Sequence, residues 1–160
     1  MNVLFVCTGN TCRSAMAEVI LRDMAKRYDL PVEVGSAGLS VKPGALCPDC
    51  ARFAVRELGL SLEDHLPQML TGVSVAWADA VITMTERTRA TLIRLYPAAW
   101  YKCATLGQSV EDPCGRGYEA YRCCVQTLRV LLIKWIAEQH FPGVSWKEAF
   151  NRNRMISGRS

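Results

Sequence analysis

Three places in the chain put an arginine six positions after a cysteine, a spacing that lets a thiolate and a guanidinium hold one phosphoryl group. The pairs are Cys7 with Arg13, Cys50 with Arg56, and Cys123 with Arg129. Because the chain contains eight cysteines, such pairs also arise by chance. The residues around each pair must therefore decide its meaning.

The first pair stands in a loop that can surround an anion. Cys7 follows the mainly apolar run 2–6, Gly9 and Asn10 permit a left-handed backbone, and a helix is predicted from about Arg13. Amide hydrogens, a helix N-terminus and the guanidinium all favour the thiolate form of the cysteine. The other two pairs lie in helical patterns without an intervening glycine, so both are interpreted as structural.

Displacement at phosphorus also requires an acid for the leaving group, and Asp112 is the best candidate. It precedes Pro113 and Gly115, which shape a loop ahead of the last helix. Ser14, one position after the arginine, is placed to donate its hydroxyl to the sulfur of Cys7 and to help the thiolate leave in a second step.

The elements around these loops alternate between strand and helix. Strands are predicted at residues 2–6, 32–34, 80–84 and, more weakly, 102–106; helices are predicted from about residue 13, at 49–58, after a Thr85 cap, and at 118–139. This alternation predicts an α/β domain with a parallel sheet and helices on both faces. The site is expected beyond the carboxyl ends of the strands.

Composition narrows the function classes. Of the 160 residues, 50% are apolar and 21% are charged, which predicts a packed globular fold. Residues 146–160 hold four basic residues and one acidic residue, so three of the four net positive charges lie there and no nucleic-acid partner is expected. No secretory signal or membrane span is predicted, so we expect a cytoplasmic protein with reduced thiols and no membrane partner.

The motifs together resemble a known family. The run VLFVCTGNTCRS at residues 3–14, Ser36-Ala37-Gly38, and Asp112-Pro113 are similar to the low-molecular-weight protein tyrosine phosphatases. The resemblance implies one doubly wound domain at residues 1–142 with a four-stranded parallel sheet, followed by a basic extension at 143–160. It implies no metal or other cofactor, a phosphorylated protein substrate, inorganic phosphate as product, and a cysteinyl-phosphate intermediate.

The resemblance also assigns roles to residues. Cys7 becomes the nucleophile, and Asp112 becomes the acid and then the base for water. Asn10 is tied to Ser36 and His65, which with Ser14 support the loop. The phosphate-binding set is Thr8, Gly9, Asn10, Thr11, Cys12, Arg13 and Ser14.

Two departures leave the substrate open between phosphotyrosine and phosphoarginine. Cys114 stands where tyrosine-specific members carry an aromatic residue beside the acid loop, and no aromatic residue occurs between Ser36 and Arg52. Thr11 stands where those members usually carry Ile, and it resembles the bacterial protein-arginine phosphatases. A hydroxyl there is suited to orienting a guanidinium or the attacking water.

The thiols also permit other functions. Arsenate reductases share the fold but relay electrons through two cysteines after the third strand, where residues 83–87 contain none. Cys47 and Cys50 would have to replace them, or could form half of a zinc site. Cys12 is a redox candidate, placed to form a reversible disulfide with Cys7. A third alternative is a phosphate-binding module without catalysis.

Overall fold

The computed structural model describes residues 1–139 and 141. Its strands are β1 (Asn2–Cys7), β2 (Glu33–Gly38), β3 (Ala80–Thr83) and β4 (Cys103–Thr105); its helices are α1 (Arg13–Tyr28), α2 (Asp49–Arg56), α3 (Gly72–Trp77), α4 (Glu86–Leu95) and α5 (Tyr118–Glu138). A short 3₁₀ helix, Pro97–Lys102, precedes β4. The predicted basic extension at 143–160 lies outside the described residues.

The four strands form one sheet in the order β2-β1-β3-β4, and all three pairings are parallel. The first strand is therefore central, and the chain runs outward from it in both directions. This is the predicted doubly wound α/β domain with a four-stranded parallel sheet. The loop after β1 begins at the carboxyl end of the sheet, where such folds place their ligands.

The alternation of side chains along β1 explains why both faces of the sheet are covered. Val3 and Phe5 point into a core formed with α1, α2 and α5. Leu4 and Val6 point into a second core on the opposite face, formed with α3 and α4. A central strand buried on both faces must be apolar along its buried part, as residues 3–6 are.

The structure corrects several predicted boundaries. β2 extends to Gly38, well past the predicted end at residue 34, because all six of its residues pair in register with β1. Helix α3 and the 3₁₀ helix were not predicted, since six residues are too few to reveal a period. Thr85 caps α4 as predicted, accepting a hydrogen bond from the amide of Thr88. No helix in the described part of the chain is long and apolar enough to cross a membrane.

Candidate active site

The loop between β1 and α1 turns back on itself around Asn10, whose φ is +54°. Asparagine tolerates this left-handed conformation better than most residues do. Helix α1 begins without a side-chain cap. Among the described residues, no acceptor is found for the amide hydrogens of Gly9, Thr11, Cys12, Arg13 and Ser14. The loop and helix start thus present a set of free donors, as an anion-binding site requires.

The sulfur of Cys7 lies inside this loop, and the residue as a whole is only 3% exposed. The Oγ atom of Ser14 is 2.9 Å from Sγ, and the amide of Asn10 donates to Sγ over 3.3 Å. Both contacts hold the sulfur in place inside the loop. The structure therefore places Cys7 and Ser14 together as the sequence predicts.

Arg13 connects the loop to the acid segment on the other side of the site. Its Nη2 atom lies 2.9 Å from Oδ2 of Asp112, and its Nη1 donates to the carbonyl of Val110 over 3.2 Å. The guanidinium is largely buried, whereas about half of the Asp112 side chain is exposed. The other carboxylate oxygen accepts from the amide of Cys114. Asp112 is therefore held beside the loop and remains open to the pocket.

The side chain of Asn10 supports the loop from below. Its Nδ2 donates to Oγ of Ser14 over 2.9 Å and to Oγ of Ser36 over 2.8 Å, while its Oδ1 accepts from the amide of Gln68. Nε2 of His65 lies 2.9 Å from the Asn10 carbonyl and must donate, because a carbonyl only accepts. The structure thus brings together Asn10, Ser14, Ser36 and His65, the four predicted support residues.

Glu18 completes this network and was not predicted from the sequence. It is 8% exposed, accepts a hydrogen bond from Ser36, pairs with Arg22, and lies 3.8 Å from Nδ1 of His65. The available signal was its position four residues after Ser14, which puts a carboxylate on the buried face of α1. The contact from Gln68 had no sequence signal, because it uses a backbone amide.

A pocket of about 760 Å³ opens above the loop. Cys7, Arg13 and Asp112 line it, together with Leu46, Pro48, Cys50, Cys114 and Tyr121. Tyr121 comes from α5, where its spacing indicated only a core position. An aromatic ring therefore reaches the pocket from α5, which lies outside the two loops where the tyrosine-specific members carry their aromatic residues.

The thiols near the pocket differ in their surroundings. Burial raises the pKa of Cys47 to about 12 and that of Cys124 to about 12. Burial also raises the pKa of Cys12, although its sulfur lies 3.5 Å from the hydroxyl of Tyr121, which partly opposes the shift. All eight cysteines are free thiols. In the described part of the chain, no group of three or more metal-ligating side chains is arranged to hold a metal.

A thiol in an anion-binding loop, beside a guanidinium and a carboxylate at the carboxyl end of a doubly wound sheet, is the arrangement of small cysteine-based phosphatases. Residues 2–141 match the sequence pattern of the family described as low molecular weight phosphotyrosine protein phosphatase. The chain belongs to this family. It is a hydrolase, a low molecular weight cysteine-based protein phosphatase whose substrates are phosphorylated proteins.

The relatives include both protein-arginine phosphatases and protein tyrosine phosphatases. A protein-arginine-phosphatase of Geobacillus stearothermophilus is 35% identical over 81% of this chain and 90% of its own length. The crystal structure of a low molecular weight protein tyrosine phosphatase from T. tengcongensis has a TM-score of 0.83 and 34% identity, covering 87% of this chain and 99% of that one. A mutant of the YwlE arginine phosphatase with a phosphorylated active site serine has a TM-score of 0.82 and 31% identity, covering 88% and 98%.

Proposed function

We propose that the chain hydrolyses phosphorylated protein side chains through a cysteinyl-phosphate on Cys7. The thiolate attacks phosphorus, a sulfur–phosphorus bond forms, and the bond from phosphorus to the leaving oxygen or nitrogen breaks. Asp112 gives its proton to that leaving group. Asp112 then accepts a proton from water, which attacks phosphorus and releases inorganic phosphate and the thiolate.

The observation that carries this proposal is the position of the Cys7 sulfur. It accepts from Asn10 and contacts Ser14 inside a loop whose remaining amides are free to bind phosphoryl oxygens. The YwlE mutant supports the same step, because its phosphorylated active site serine stands for a phosphorylated nucleophile in a relative. A phosphate-binding module without catalysis would not need a buried thiol held in this way.

In this proposal Arg13 and the loop amides bind the phosphoryl group. In the structure its guanidinium pairs with Asp112 at 2.9 Å. A bound phosphoryl group would compete for the same donors, since a guanidinium can bind two phosphoryl oxygens at once. Binding of substrate is therefore expected to release the carboxyl group of Asp112 from Arg13 and to free it for proton transfer.

Turnover of p-nitrophenyl phosphate by Cys7→Ser and Cys7→Ala tests the nucleophile. Both variants should lose at least about 1000-fold in kcat, because an alcohol or a methyl group cannot replace the thiolate. Cys50→Ser is the matched control, since Cys50 lines the same pocket and has an arginine at the same spacing. Undiminished turnover in both Cys7 variants would end the proposal.

The substrate is proposed to be phosphotyrosine or phosphoarginine, and Thr11 is the residue to change. Thr11 lines the pocket, where its hydroxyl can orient a guanidinium or water. Kinetics on phosphoarginine and phosphotyrosine peptides should show that Thr11→Ile shifts the preference towards phosphotyrosine by about tenfold, the value of one hydrogen bond. An unchanged preference would show that Thr11 does not select the substrate.

The thiols also support two further proposals, a cytoplasmic location and a reversible disulfide. A cytoplasmic location is supported by eight free cysteines, which persist in a reducing compartment. A reductase of the arsenate type receives no such support, because burial raises the pKa of Cys47 to about 12 and suppresses the thiolate that electron relay requires. The pairing of Cys12 with Cys7 as a reversible disulfide stays a prediction, tested by mass spectrometry after peroxide treatment.

A further inference from the structure

Strand β2 lies at one end of the sheet, so one side of its backbone faces away from the other strands. In a parallel ladder alternate residues bond to the same neighbour, and Glu33 donates towards β1. The backbone N–H and C=O groups of Val34, Ser36 and Gly38 therefore point away from the sheet. Gly38 is satisfied, because its amide donates to Gln68 and its carbonyl accepts from Leu70, both over 2.8 Å.

Closer to the start of β2, Val34 and Ser36 have four outward backbone groups, and only one of them has a hydrogen-bond partner among the described residues. The carbonyl of Val34 accepts from the guanidinium of Arg22 over 3.1 Å. For the amide of Val34 and for the amide and carbonyl of Ser36, no partner is found on the outer side among residues 1–139 and 141. Unpaired groups on an edge strand form a template for a further strand.

A groove of about 860 Å³ follows this same edge. Helix α1 forms one wall with Val19 and Arg22, and helix α3 forms the other with Val73 and Trp77. The ring of Trp77 lies against the strand, 3.5 Å from the point where a Cβ on Gly35 would stand. We call this space the β2 edge groove. It shares no lining residue with the pocket above Cys7.

The β2 edge groove is rimmed by apolar side chains that are open to solvent. The exposed fractions are 65% for Leu66, 54% for Met69, 80% for Val73 and 41% for Trp77. Apolar side chains gathered around one groove mark a binding surface more often than scattered ones do. Together with the free backbone groups, they favour an occupant with both a polypeptide backbone and apolar side chains.

The charges around the groove add one preference. Glu18 and Arg22 pair with each other, whereas Asp64 also lines the groove and makes no ion pair with any described residue. His65 also lines the groove but lies 3.8 Å from Glu18, so Asp64 is the one lining carboxylate without an ion-pair partner among the described residues. A basic side chain on the occupant would find its partner in Asp64.

We propose that the β2 edge groove binds an extended segment of a partner protein, which pairs with residues 34–36 as a fifth strand. Its apolar side chains, at alternate positions, pack against Val73 and Trp77, and a basic side chain faces Asp64. A helical segment does not fit, because its backbone groups are already bonded within the helix. Strand addition of this kind draws affinity from backbone hydrogen bonds and specificity from alternate side chains.

The first experiment uses a blocked heptapeptide of alternating valine and lysine as the probe, with ¹⁵N-labelled protein. Saturable binding should shift the amide signals of Val34 and Ser36 and slow their hydrogen exchange. Methylating alternate peptide nitrogens removes the pairing donors and should weaken binding at least tenfold. No binding up to about 1 mM, shifts centred elsewhere, or equal affinity of the methylated peptide would each overturn the proposal.

A matched pair of variants tests the apolar wall. Val73→Ser should weaken peptide binding about tenfold, because part of a valine side chain loses its apolar contact. Val130→Ser makes the same change at a valine on α5 that is 66% exposed and outside the groove, and it should have no effect. Equal effects of the two variants would contradict the proposal. Turnover of p-nitrophenyl phosphate should be unchanged by either, so the result does not depend on the proposed catalytic step.

Discussion

Replacing Gly38 by alanine should damage the phosphate loop from the neighbouring strand. Gly38 pairs with Cys7 in the sheet, and a side chain at this position would meet the loop. A Cβ at this position would lie 2.8 Å from the carbonyl oxygen of Thr8 and 3.0 Å from the amide nitrogen of Asn10. Both are backbone atoms, so no side chain can rotate away to relieve the contacts.

The size of the effect follows from these distances. The contact to Thr8 is about 0.6 Å closer than the 3.4 Å at which ordinary contact begins, so the loop or β2 must move by about that amount. A misplacement of about 1 Å costs catalysis about 100-fold, so roughly half that displacement should cost about tenfold in kcat/KM. Overpacking should also lower the free energy of unfolding by about 1–3 kcal/mol.

The assay compares Gly38→Ala with Gly35→Ala on the same strand. A Cβ on Gly35 would stand 3.5 Å or more from its neighbours, which is ordinary contact. Turnover of p-nitrophenyl phosphate, inhibition by inorganic phosphate and urea unfolding should all be impaired in Gly38→Ala and nearly normal in Gly35→Ala. A folded Gly38→Ala enzyme with activity within about twofold of the unmodified chain would refute the reasoning, as that would mean the loop tolerates the displacement.

Asp112→Asn should slow turnover about 100-fold or more for esters whose leaving groups have a high pKa and less for p-nitrophenyl phosphate; equal slowing would contradict its role as acid. Above about pH 9 the free energy of unfolding should fall as the pH rises. Burial raises the pKa of Cys47 and of Cys124 to about 12, so the folded chain keeps these two protons after the unfolded chain has lost them. Urea unfolding at about pH 8 and pH 10 checks this, with a limit of about 1.4 kcal/mol per pH unit for each thiol, and the Cys47→Ala/Cys124→Ala chain should show a flatter dependence. At the positive φ of Asn10, Asn10→Gly should be about 1 kcal/mol more stable than Asn10→Ala while both lose activity, and equal stability would remove the backbone argument.

The sequence predicted much of the site because the phosphate loop is local. Cys7, Asn10 and Arg13 lie within one short segment, and the glycine and asparagine between thiol and arginine already indicate how its backbone must turn. Strand β2 is longer than the sequence predicts because part of it depends on a partner that is distant in the sequence. Residues 35–38 have weak strand propensity and become a strand only because β1 offers them a complete ladder.

Long-range partners of the site were less visible. Glu18 could have been suspected from its place on the buried face of α1, but nothing near it indicates Ser36 or His65 as its neighbours. Tyr121 looked like any core residue of an amphipathic helix, although it reaches the pocket. Such contacts depend on how separate elements pack, and no local pattern records that packing.

The amino-acid order alone determined the alternation of strands and helices, the loop from Cys7 to Ser14, and hence a phosphatase of this family, because these features arise from short-range backbone preferences and residue chemistry. Tertiary structure alone decided that Arg13 meets Asp112 across 99 positions and that Gly38 lies against the loop. It also decided that three outward backbone groups of Val34 and Ser36 find no partner among the described residues and lie between two helices. These features form only when the strands and helices pack together, since each depends on residues that are far apart in the sequence.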